Sequence, residues 1–160
     1  MRPIELAAFF AAVPITAKDV FDNESLPQLT VVERRLGVSM APDPPSIGHG
    51  NALYYVGLKD VGDFLRLSTS TGISEDWELL PDPATRASVE VPFGMRILAF
   101  DLAAVVAATI ARLNETEVLD ECGYWLERPG FRRPPDAFIA EYKTWRHRLI
   151  DKSLRSFADE

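Results

Sequence analysis

A chain of 160 residues with 47% hydrophobic, 26% charged and 10% aromatic residues fits one globular domain whose core needs no disulfide or metal staple. A formal net charge of −7 and a pI of about 4.9 argue against duplex nucleic acid as a direct partner, because binding it takes several cations facing the phosphates. Cys122 is the single cysteine, which excludes an intramolecular disulfide and a cysteine-based zinc site and suits a reducing compartment, so a cytoplasmic protein is expected.

The first segment, "MRPIELAAFFAAVP", has one arginine and an apolar run from Leu6 to Val13. Glu5 interrupts the approach and no A-x-A site follows, so it is expected to be structure rather than a leader. Residues 4–13 read as a buried strand or a short helix; strand is favoured, with Pro14 ending it. Thr16 then suits an N-cap for a short helix from Ala17 to about Glu24, with Asp19 in its first turn. "QLTVVERRLGV" reads as a strand centred on Thr30, Val31 and Val32, with a helix ending at Gly37 as the alternative for 28–36. "MAPDPPSIGHG" has four prolines and glycines before His49, then Gly50, and reads as a loop.

"NALYYVGL" alternates Leu53, Tyr55 and Gly57 against Tyr54, Val56 and Leu58, a strand pattern. Asp60 suits the cap of a helix containing Phe64, Leu65 and Leu67. "STSTGISEDWELLPDP" is an acidic connector, and "ASVEV" a short strand stopped by Pro92. From about Met95 to Leu113, apolar residues at 95, 98, 102, 106 and 113 with Thr109 lie on one helical stripe. Leu102 to Ala111 carries no charge, so this helix is expected to be central and covered on most sides, with its alanines letting neighbours approach.

"TEVLDECGYWLE" reads as a strand bent near Gly123, and "RPGFRRPPD" as a rigid connector. Pro135 suits the first turn of a final helix running to about Phe157, with Phe138, Tyr142, Trp145 and Leu149 as its apolar stripe. Neither this helix nor any other run has the roughly 18 uncharged apolar residues of a membrane span. The order of elements predicts a single α+β domain over residues 1–160, with helices on a mixed or antiparallel sheet.

The chemistry-bearing residues are few. His49, between Gly48 and Gly50, lies on a loop that a ligand could approach, but no nucleophile or orienting carboxylate stands near it in sequence. His147 is two positions from both Trp145 and Leu149 and so faces solvent, among Lys143, Arg146 and Arg148. The sequence has no G-x-S-x-G, no P-loop, no H-E-x-x-H and no G-x-G-x-x-G. No catalytic residue, metal site or cofactor is therefore assigned from sequence. Asp120–Glu121 are strand neighbours that point to opposite faces, which does not suit a catalytic dyad.

Charge is unevenly spread: residues 1–129 carry 10 Lys and Arg against 19 Asp and Glu, while residues 130–160 carry 7 against 5. The densest acidic stretch surrounds a tryptophan, with Glu75, Asp76, Trp77, Glu78 and Asp82, and Asp43 adds a further carboxylate. Tryptophan is a frequent interface anchor, and clustered carboxylates steer basic surfaces. Arg132 and Arg133 suit an external anion or the acidic body of the chain itself. The sequence thus points to an acidic binding protein that occupies a basic protein partner, as an inhibitor or immunity protein neutralising a toxin enzyme would. The alternatives are a small enzyme using the His49 loop with a carboxylate, and a structural subunit that forms a homo-oligomer through its C-terminal helix.

Overall fold

The computed structural model describes residues 2–21, 29–35, 38–48, 52–58, 64–70, 86–91, 97–120 and 130–158. The N-terminal apolar run is mostly helix. β1 (Ile4–Glu5) is a two-residue strand, and α1 (Leu6–Phe21) follows it at once. Two expectations fail here: residues 4–13 are not a strand beyond Glu5, and Thr16 is no N-cap but a buried residue inside α1. Alanine is the best helix former, and Phe9, Val13, Ala17 and Val20 recur every three or four residues, which buries one helical face. Pro14 does not end the helix, because it lies on the exposed side, where water can satisfy the freed carbonyl one turn back.

Five antiparallel strands form the main sheet, in the order β3-β2-β5-β6-β7. They are β2 (Leu29–Arg35), β3 (Val38–Met40), β5 (Ala52–Leu58), β6 (Phe64–Ser70) and β7 (Arg86–Glu90). A separate short strand, β4 (Ser46–Ile47), pairs with β1. The expected strands in "QLTVVERRLGV", "NALYYVGL" and "ASVEV" are present, whereas the expected helix around Phe64, Leu65 and Leu67 is β6. Leu65, Leu67 and Thr69 are buried while Arg66 between them is exposed, the two-residue period of a half-buried strand. The stretch read as a loop at 40–50 contributes the end of β3 and all of β4.

Register assigns the two faces. Val31, Val56 and Leu65 are cross-strand neighbours, as are Glu33, Tyr54, Leu67 and Val89, and these face the helices. α2 (Ile97–Asn114) packs on β6 and β7, and α1 and α3 (Pro135–Ala158) pack on α2 and on each other. The central helix is therefore covered nearly all round: Leu102–Val106 and Ala108–Ala111 are buried, as its lack of charge required. One apolar cluster joins Phe9 and Val13 of α1, Val56 and Leu65 of the sheet, Val105 of α2, and Phe138 and Tyr142 of α3.

α2 ends in a Schellman turn. The Thr116 amide donates to the Ala111 carbonyl at 3.0 Å, and Glu115 takes a left-handed φ of 54°. The expected strand after α2 is short, β8 (Val118–Asp120), with 121–129 outside the described residues. The expected rigid connector contains β9 (Phe131–Arg133), paired antiparallel with β8. Pro135 opens α3 as expected, and the Phe138 amide donates to the Pro134 carbonyl at 2.9 Å.

Candidate functional site

The acidic residues singled out by sequence, Glu75, Asp76, Glu78 and Asp82 with Trp77, lie outside the described residues, and so does His49. Their anchors are described. Residues 71–85 connect β6 to β7, whose ends are held together by the Ser70–Arg86 pair. Next to that pair, Thr69 stands in register with Ala87 on one side and with Ala52 on the other. Ala52 starts β5, and it is preceded by the stretch that contains His49. Gly48, just before that stretch, has a φ of 100°, and its amide donates to the Tyr54 hydroxyl at 3.3 Å. Asp43 is exposed at a different corner, beside the cis Asp43–Pro44 bond. There the Leu6 amide donates to the Pro45 carbonyl at 2.9 Å and ties the corner to the start of α1.

Among the described residues, three ionic clusters involve the helices. In the most buried, Asp101 of α2 is 2% exposed and accepts a hydrogen bond from the Tyr142 hydroxyl of α3. It also takes Nε of Arg146 at 3.0 Å and 3.2 Å to its two oxygens. The Arg146 guanidinium continues onto the ring of Phe21 in α1, 5.0 Å from its centroid. Burial, then the Asp101 carboxylate beside it, raises the Tyr142 pKa well above the ordinary phenol range, with Arg146 opposing. The Tyr142 hydroxyl is therefore a donor held protonated against a carboxylate acceptor. Sequence reasoning missed this group and put Arg146 on a solvated cationic face. The available signals were a lone aspartate heading an uncharged helix and the four-residue spacing from Tyr142 to Arg146.

The second cluster spans all three helices. Arg112 of α2 reaches Asp19 of α1 through Nη1 at 2.6 Å and Asp136 of α3 through Nη2 at 2.6 Å. The same Nη1 lies 3.3 Å from the Thr16 hydroxyl. Burial works against the Arg112 charge, but the carboxylates of Asp136 and Asp19 outweigh it and raise its pKa. In the third cluster, Arg133 of β9 pairs with Glu141 of α3, a contact within residues 130–160 rather than with the acidic 1–129 body. His147 is exposed as expected, its Nδ1 donating to the Lys143 carbonyl at 2.8 Å.

The face of the sheet turned away from the helices carries Arg34, Tyr55, Phe64 and Arg66. Arg34 donates to the Tyr55 hydroxyl at 3.0 Å and lies over that ring, 5.8 Å from its centroid. Phe64 meets the same ring edge-on at 5.4 Å. Tyrosine, phenylalanine and arginine are the residue types enriched at protein interfaces. Among the described residues no three histidine, cysteine, aspartate or glutamate side chains come together as a metal-binding group, and no helix is long and apolar enough to cross a membrane. Comparison with known proteins finds no matching family model, no matching curated protein and no matching solved structure.

Proposed function

We propose that the chain is a cytoplasmic binding protein that occupies a basic protein partner through the acidic connection carrying Glu75, Asp76, Trp77, Glu78 and Asp82, with Asp43 as a further carboxylate. An inhibitor or immunity protein that neutralises a toxin enzyme fits this description. The observation that supports the reading is the length of the connection between two strands that pair directly. Antiparallel neighbours are commonly joined by two to five residues, whereas residues 71–85 lie between Ser70 and its cross-strand partner Arg86. Connections of that length inside a domain are uncommon, and binding residues are disproportionately carried on connecting segments. Four carboxylates and one tryptophan give this one the chemistry to recognise a cationic surface.

The net charge of −7 supports the same reading, since a like-signed body speeds encounter with a basic partner. The ionic clusters of the helical layer support it in another way, because each is spent on joining one helix or strand to another.

The test starts from the partner recovered on the tagged chain from its native cell. Its association rate is then measured at low salt for the native chain and for the Glu75→Lys, Asp76→Lys, Glu78→Lys triple variant. The expected result is association slowed by about 10-fold or more, with a difference that shrinks as salt rises. Identical rates at low salt would remove the acidic connection from the interface. The enzyme alternative has its own readout, since His49→Ala would abolish turnover without altering the association rate.

A further inference from the structure

The main sheet turns one face to the helices, and its other face is not the polar surface such a sheet ordinarily shows to water. At its centre stand Val32, Leu53, Tyr55 and Phe64, all half-buried, with exposed Arg34 and Arg66 beside them. The three helices pack on the opposite face or on one another, so none of them covers this surface. An apolar area rimmed by polar groups on a protein surface marks a contact site.

The charges select the partner. The chain has 24 Asp and Glu against 17 Lys and Arg, so a carboxylate is the common neighbour of a cation. Arg112, Arg133 and Arg146 each pair with at least one. Arg34 and Arg66 do not: neither makes an ion pair with a described residue, although Glu90 stands directly across the strand from Arg66. Arg34 donates instead to the neutral Tyr55 hydroxyl, and Arg66 is the cross-strand neighbour of Tyr55 on its other side. Two guanidiniums therefore flank one tyrosine, and both keep donors in the planar arrangement that matches a carboxylate. β2 and β6 are two strand spacings apart and the two arginines are offset by two residues, which sets their Cα atoms about 12 Å apart. An extended chain covers that span in about four residues. We propose that the open face of the main sheet seats an acidic segment of a partner protein. Two of its carboxylates pair with Arg34 and Arg66, and an apolar side chain between them rests on Tyr55 and Phe64. This surface takes a ligand of opposite charge to the one expected for the acidic connection, so it does not rest on that reading.

Selection of a library of random peptides about 12 residues long on the immobilised full chain tests it. Counter-selection uses the Arg34→Gln, Arg66→Gln double variant, with far-UV circular dichroism as a fold control. Basic peptides held by the acidic connection bind both proteins and are removed by that step. Peptides kept by the native chain alone are expected to be rich in Asp and Glu, with pairs of them about three to five residues apart. Changing both carboxylates of such a peptide to amides is expected to weaken binding by about 10-fold or more, with a difference that shrinks as salt rises. Arg66→Gln alone, at an exposed position without an ion pair, keeps the comparison open should the double variant unfold. A library with no peptide that tells the native chain from the variant would overturn the proposal, and so would a retained set without acidic enrichment. Oligouridine bound by the native chain and not by the variant would assign the face to single-stranded nucleic acid and equally overturn it.

Discussion

The Asp101 carboxylate is the most consequential single group in the helical layer. It is buried, it accepts the Tyr142 hydroxyl, and it neutralises an arginine whose side chain is 23% exposed. Removing one partner of such a pair costs more than the pair contributes, because the remaining groups stay desolvated. Asp101→Ala is expected to lower unfolding free energy by about 3 kcal/mol in denaturant titrations, whereas Tyr142→Phe, which keeps the ring, is expected to cost about 1 kcal/mol. The raised pKa of Tyr142 also has a pH signature. The folded chain holds the phenol protonated, so its contribution is fully present below the unfolded phenol pKa of about 10. Above that pH the unfolded chain ionises while the folded one does not, and stability falls as pH rises toward the folded pKa. The native chain is therefore expected to lose stability above pH 10 more steeply than Tyr142→Phe. Parallel losses in the two chains would contradict the assignment.

Among the elements, the helices differ in how much of their sequence logic is local. α2 is fixed by an uncharged stretch that only a buried helix accommodates, and α3 by an opening proline and a three- to four-residue apolar stripe. Their existence was legible in the sequence to within about two residues, the usual uncertainty of helix ends. The end of α2 shows where a local preference was overruled. Glu115 holds a left-handed φ of 54°, which ordinarily goes to glycine and costs other residues roughly 1–2 kcal/mol. Its exposed side chain is free to be lost, so Glu115→Gly is expected to raise stability by about 1 kcal/mol, read as a higher denaturant midpoint with an unchanged slope. α1 and β6 were the elements misread. Residues 4–13 are apolar but for Glu5, so helix and strand periods fit them nearly equally well, whereas Phe64–Ser70 carries a two-residue alternation that the reading of Asp60 as a helix cap passed over.

At the scale of the whole molecule, Arg112 joins α1, α2 and α3 through ion pairs. Arg112 lies between Asp19 and Asp136, and the Asp136 side chain is 84% exposed. Exposed ion pairs are screened and contribute about 0.2–1 kcal/mol each. Arg112→Ala is accordingly expected to lower stability by about 1–2 kcal/mol at low ionic strength, and raising salt to about 1 M is expected to erase most of the difference. A loss several-fold larger, insensitive to salt, would mean that the Arg112 stem matters through packing instead. The same scale governs recognition. The acidic connection leaves and rejoins the sheet at the Ser70–Arg86 pair, so any partner it holds is tied to the β6–β7 end of the sheet.

The sequence by itself determined the α+β class, the buried central helix, the long terminal helix, three of the five strands of the main sheet and the solvent-facing position of His147. Each rests on a pattern contained in one segment: a period, a cap or the absence of charge. Only the tertiary structure decided that α1 is a helix carrying Pro14, that Phe64–Ser70 is a strand, and that Asp101, Tyr142 and Arg146 meet. It alone also made the acidic residues a connection between paired strands. Those features depend on groups far apart in the chain, and a local pattern cannot specify which distant surface will exclude water from it.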